Sequence, residues 1–112
     1  MSRSDRERLL DVLEAATAID GHLARGPLRD GLVFDAVRVR LIEIGEAIKD
    51  VSSELLDRQP EVPWRQVAAM RDQLAHRYFD TSHAIIEQTV TADLTQLVAA
   101  AHALLDGLDP TE

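Results

Sequence analysis

Apolar residues recur along this chain at the spacing of helices. The clearest run is Val33, Val37, Leu41, Ile44, Ile48 and Val51, with steps of 4, 4, 3, 4 and 3. That is the period of one helical face, and it predicts a helix beginning near Asp30. Upstream, Leu9, Leu10, Leu13, Ala16, Ile19 and Leu23 mark another helix. Ser4 and Glu7 have the form of a capping box at its start, and Gly26-Pro27 ends it. Gly21 is tolerated near its end. Gly45 lies inside the second helix beside its apolar face, where glycine lowers helix propensity by up to about 1 kcal/mol. Its presence there predicts a tight crossing with another helix. Ser52-Ser53-Glu54 can restart or extend the helix through Leu55 and Leu56.

Gln59-Pro60-Glu61-Val62-Pro63 then predicts an extended turn, because each proline disfavours helix at the residue before it. Pro63 suits the first position of a third long helix running to about His76. Trp64, Val67, Ala68, Leu74 and Ala75 are its candidate buried positions. Phe79 and Asp80-Thr81-Ser82 read as an exit turn. Ile85, Ile86, Thr89 and Val90, followed by Leu94, Leu97, Val98, Ala101, Leu104 and Leu105, give one or two final helices. Thr91 is a candidate cap for the second of them, and Gly107 and Pro110 end the structure. His102 falls among apolar positions and reads as a partly buried structural histidine. His22 reads as solvated or facing a helix end. No strand signal competes. The pattern predicts an all-α fold, an antiparallel four- to five-helix bundle, with residues 1–112 forming one domain.

Composition narrows the chemistry. The 112 residues include no cysteine, which removes disulfides, thiolate metal sites and cysteine nucleophiles and fits a reducing compartment. The N-terminus leads into no uninterrupted apolar run, and no stretch approaches the roughly 20 apolar residues needed to span a bilayer. A cytoplasmic protein without membrane contact is expected. The net charge of -8 argues against loose binding to nucleic acid through phosphate neutralisation alone. The charge is uneven, however. Between Pro63 and His83, Arg65, Arg71 and Arg77 stand against only Asp72 and Asp80. Arg38 and Arg40 project from other faces of the second helix; a solvated face is the plainer expectation and an anion-binding surface the alternative.

That locally basic segment holds the densest cluster of reactive side chains, Met70-Arg71-Asp72-Gln73-Leu74-Ala75-His76-Arg77-Tyr78-Phe79-Asp80, in a chain with four histidines and one tyrosine. On a helix, Arg71 and Tyr78 lie roughly 20° apart, and Asp72 and His76 are an i, i+4 pair. Arg71 and His76 are about 140° apart on a straight helix. Either the helix ends before His76 and the ring swings back, or a second copy of the chain completes the site. An acid beside an imidazole can hold one tautomer, a histidine can move a proton, and an arginine offers a charged fork for phosphate oxygens. His76 and His83 are seven residues apart with no accompanying acidic ligand pattern, so neither a metal nor another cofactor is expected. Arginine plus histidine without metal suits cleavage of RNA, in which the neighbouring 2′-hydroxyl attacks phosphorus. The plainer alternative is that both side chains only satisfy carbonyls at a helix C-terminus.

Three ordered stretches resemble the HEPN superfamily, and within it the HepT-like toxins. They are Asp35-Ala36-Val37 through Leu41-Ile42-Glu43-Ile44-Gly45-Glu46-Ala47, then Pro60-Glu61-Val62-Pro63-Trp64-Arg65, then Arg71 through His76 and Tyr78 in the form Arg-x-x-x-x-His-x-Tyr. The resemblance implies an all-helical homodimer with a metal-independent ribonuclease site where two motif helices meet. Arg71 and His76 would be catalytic and Asp72 supporting, although HepT-like toxins more often carry asparagine there. Apart from the resemblance, Arg65 and Arg77 of the locally basic segment are candidate RNA contacts. The resemblance also implies a toxin–antitoxin pair, in which an MntA-like nucleotidyltransferase antitoxin transfers AMP to Tyr78. The alternative function is a non-catalytic helical binding module that docks a nucleotidyltransferase and presents substrate or nucleotide.

Overall fold

A computed structural model describes residues 4–76 and 79–108, with the side chains of 79–82 excluded. Every described secondary-structure element is helical: α1 (Asp5–Arg25), α2 (Gly31–Lys49), the single turn α3 (Ser53–Leu56), α4 (Trp64–His76), α5 (Phe79–Gln88), a π-helical turn (Thr89–Asp93) and α6 (Leu94–Asp106). The all-α expectation holds.

Local chemistry sets the boundaries. Ser4 and Glu7 form the full capping box at α1, with the Ser4 Oγ accepting from the Glu7 N–H at 3.1 Å. Asp30 caps α2, its Oδ1 accepting from the Leu32 N–H at 2.9 Å. Ser52 caps α3, which is a restart and not an extension of α2. The Val67 N–H donates to the Pro63 carbonyl, so Pro63 stands immediately before α4. The Trp64 indole N–H closes the proline turn by donating to the Gln59 carbonyl at 3.0 Å.

The core runs between α1, α2, α4 and α6. The five stripe residues within α2 are buried, as is Val51 just beyond its end, together with Leu9, Val12, Ala15, Ala16 and Ile19 of α1. α2 packs against both α1 and α4, while α6 packs on α1. Gly45 marks the α2–α4 crossing: a Cβ there would lie 2.9 Å from the Arg71 nitrogen and 3.0 Å from the Val67 carbonyl oxygen. The tight crossing expected from the sequence is therefore a contact with the backbone of Arg71 itself.

Five expectations fail. Phe79 to Ser82 form no exit turn; α5 begins at Phe79. Thr91 caps nothing; its hydroxyl donates back to the Glu87 carbonyl at 2.7 Å inside a helix that does not stop. The Leu94 N–H reaches the Thr89 carbonyl, the i to i+5 bond that joins α5 to α6. Finally, His102, Leu10 and Ala75 are exposed. α6 needs only the stripe Leu94, Leu97, Ala101 and Leu104 to cover α1, which leaves His102 toward water.

Candidate active site

The motif sits on α4, which stays helical through His76. The possibility that the helix ends earlier and lets the imidazole swing back is thereby removed. Met70 and Leu74 face the core, and Arg65, Ala69, Asp72 and His76 are exposed. These four follow steps of 4, 3 and 4, one stripe along the outer face. Arg65, Asp72 and His76 are thus brought to a common surface. Exposed Ala75 and half-buried Ala68 flank it, so few large side chains stand in the way of close approach.

Arg71 lies at the edge of that surface. Its Nε is 3.0 Å from Glu46 Oε2 on α2, and its Nη1 donates to Asp72 Oδ1 at 2.9 Å. The hydrogen bond donated to Asp72, then the charges of Glu46 and Asp72, raise its pKa above the usual guanidinium value. Arg71 is therefore a fixed cation. Asp72, expected beside His76, is engaged by Arg71. Arg77 and Tyr78 lie outside the described residues.

Arg38 departs from both of its expectations. Its Nε donates to the Leu74 carbonyl at 2.9 Å, satisfying one of the terminal carbonyls of α4. The motif helix is therefore tied to α2 at two levels, at Arg71 and at Leu74. Arg40 pairs with Glu43 at 3.3 Å and donates from Nε to His22 Nε2 at 3.4 Å, joining α2 to α1. His22 is half-buried in that contact. Sequence reasoning missed Glu46, whose signal was its place next to Gly45 at the crossing.

A groove of about 550 Å³ runs between α1 and α2 and ends at Arg71. Arg8, Arg40 and Arg71 line it together with Asp11, Glu14, Glu43, Glu46 and Asp50, so acids outnumber bases. A second groove, about 330 Å³, opens between α4 and the α5–α6 run over Met70, Val67, Ile85 and Leu97. Among the described residues, no group of three or more histidine and acidic side chains is arranged to hold a metal ion. None of the described helices is long and apolar enough to cross a membrane.

One helix of an all-helical bundle thus carries Arg71 and His76 in the spacing Arg-x-x-x-x-His. The sequence profile of the family described as "Ribonuclease HepT-like" matches residues 8–104. The chain is 34% identical over 101 residues to a protein of Thermococcus cleftensis named "Probable ribonuclease HepT", covering 87% of this chain and 92% of that one. It is 40% identical over 60 residues to a protein of Caldanaerobacter subterraneus subsp. tengcongensis named "Putative RNase", covering 53% and 54%. A Methanocaldococcus jannaschii protein with the same style of name is 28% identical over 102 residues, covering 87% and 94%. No solved structure matches the chain. The chain belongs to the HepT-like family of HEPN-type ribonucleases, and an RNA endonuclease is the enzyme class of that family.

Proposed function

We propose that this chain is a metal-independent endoribonuclease whose site is completed by a second copy, and that it acts as the toxin of a toxin–antitoxin pair in the cytoplasm. The observation that carries the two-copy site is the unbroken helix through His76. With about 140° between them, Arg71 and His76 of one copy diverge, and a two-fold partner brings one of each to a common point. The small residues Ala68, Ala69 and Ala75 around Asp72 leave room for two α4 helices to approach.

In this reading the RNA supplies its own nucleophile. The 2′-oxygen attacks phosphorus, the 5′-oxygen leaves, and the products carry a 2′,3′-cyclic phosphate and a 5′-hydroxyl. His76 moves the proton, and Arg71 stabilises charge growing on the phosphate oxygens. Asp72 supports Arg71. Arg65 and Arg77 contact the RNA backbone. The nucleotidyltransferase antitoxin silences the enzyme by transferring AMP to Tyr78, two residues from His76, adding negative charge and bulk at the mouth of the site.

The test is expression of the wild type and of His76→Ala alone in bacteria, with intact mass showing Tyr78 unmodified. Growth arrest and RNA fragments with 5′-hydroxyl ends are expected for the wild type only. Equal growth and equally intact RNA in both would refute the reading. The acidic groove and the net charge of -8 favour a second reading, a non-catalytic module that docks a nucleotidyltransferase. That reading predicts a stable complex without RNA cleavage, surviving the loss of Arg71 and His76.

A further inference from the structure

We propose that Glu46 is a positioning residue for Arg71, holding the guanidinium from the side so that its terminal edge is offered to an RNA phosphate. The inference rests on the reading of Arg71 as the phosphate-binding arginine.

Three observations support it. First, Gly45 and Glu46 are consecutive on α2, and both meet the same residue of α4. Gly45 lets the Arg71 backbone seat on α2, and Glu46 takes the side chain. One turn of α2 thus fixes both ends of Arg71. Second, the contacts are divided among the donors. Glu46 holds Nε and Asp72 holds Nη1. Of the five guanidinium N–H groups, these contacts among the described residues take one on Nε and one on Nη1, which leaves both on Nη2 and one on Nη1 to suit a two-pronged contact with phosphate. Third, the pair is half-exposed, 43% for Arg71 and 51% for Glu46. An ion pair so open to water contributes little to stability. Its placement at the crossing is better matched by aiming a side chain than by holding the fold.

The arrangement has an electrostatic consequence. Two carboxylates on one guanidinium leave a local charge of -1, which opposes the approach of RNA. Removing the Glu46 charge therefore has two effects of different kinds. RNA binds more tightly, and Arg71 is aimed less well. A residue that served only the fold would not separate them.

The experiment measures kcat and KM on a quenched single-stranded RNA oligonucleotide that the wild-type chain cleaves. It compares wild type, Glu46→Gln, Glu46→Asp and Arg71→Ala, with thermal melting of each. For Glu46→Gln, kcat falls about tenfold or more, the scale of a misplaced catalytic group. KM falls about threefold, the effect of one unit charge acting through water across about 6 Å. For Glu46→Asp, which keeps the charge but shortens the reach, kcat falls while KM stays at the wild-type value. A Glu46→Gln enzyme with wild-type kcat, or one whose KM rises as kcat falls, overturns the proposal even when Arg71→Ala is inactive. An Arg71→Ala enzyme that still cleaves overturns the reading of Arg71 itself. Should Glu46→Gln fail to fold, Glu46→Asp decides: lowered kcat at unchanged KM supports the proposal, and wild-type kcat refutes it.

Discussion

Replacing Gly45 by alanine sets two effects of known size against each other. In a helix interior the change from glycine to alanine is favourable by up to about 1 kcal/mol. Against it stands the crossing. The added methyl carbon would lie 2.9 Å from the Arg71 nitrogen, 3.0 Å from the Val67 carbonyl oxygen and 3.2 Å from the Arg71 Cβ, whereas ordinary contact begins at 3.4 Å. Two of the three atoms are backbone, so no side chain can rotate away. α4 has to retreat by about half an ångström, and overpacking of this kind costs about 1–3 kcal/mol. The net expectation is a loss of about 1 kcal/mol, a fall of roughly 4 °C in Tm for a chain of this size. Gly21→Ala supplies the control, since nothing lies within 4 Å of a Cβ at that position of α1. There the propensity gain acts alone, and Tm should rise. Circular dichroism melts of both variants decide the matter. Shifts of the same sign, or a Gly45→Ala protein as stable as wild type, would show that the crossing is looser than described.

Mixing two inactive chains, Arg71→Ala and His76→Ala, should restore cleavage to about a quarter of the wild-type level, because half the random dimers are mixed and each holds one intact composite site; mixtures as silent as their parents would refute sharing between copies. Arg38→Met removes the hydrogen bond to the Leu74 carbonyl and should lower stability by about 1 kcal/mol. Hydrogen exchange should show this as faster exchange in the last turn of α4, and unchanged protection there would contradict the contact. Ser4→Ala breaks the capping box and should lower the urea unfolding free energy by about 1 kcal/mol, with no change meaning that the first turn is not held by it. The raised Arg71 pKa adds stability that is fully present below the unfolded value and lost only as strongly alkaline pH passes the folded one. Wild type and Arg71→Met should therefore show parallel stability curves from about neutral to moderately alkaline pH, where Glu46 and Asp72 stay ionised and Arg71 stays charged, and curves diverging through neutrality would contradict a fixed cation.

Where residues obey a single rule, the sequence was sufficient. The apolar stripe from Val33 to Val51 could face only one way, and all six residues are buried although α2 itself ends at Lys49. The caps at Ser4 and Asp30 follow from side-chain oxygens placed where N–H groups lack partners. Gly45 announced its crossing because no other role explains a glycine at the centre of so regular a helix. Failures came where two local preferences compete and tertiary packing chooses. Thr91 can cap a helix or bond back to the carbonyl four residues earlier, and the continuous helix selects the latter. His102 sits between apolar neighbours, but α6 packs chiefly on α1 and needs one stripe there. For the site, Arg71, Asp72 and His76 were legible as a cluster, and the divergence of Arg71 from His76 followed from helix geometry. Glu46 and Arg38 were not legible as parts of it. Their contacts reach 25 and 36 residues along the chain; the place of Glu46 beside Gly45 puts it at a crossing, but nothing local marks which residue stands opposite it or opposite Arg38.

The π turn at Thr89–Asp93 is a phase change in an otherwise uniform helix. One surplus residue advances everything beyond it by about 100° relative to an unbroken α-helix. Ile86 can thereby sit among the residues that meet α2 and α4, while Leu94, Leu97 and Ala101 turn to α1. A single rod thereby serves α2 and α4 before the turn and α1 after it. The reading frame of burial has slipped by one along the same helix. Deleting Ala92, exposed in that turn, would restore the ordinary frame and turn the α6 stripe away from α1. The C-terminal third of the chain is thus tuned by the count of its residues as much as by their identity.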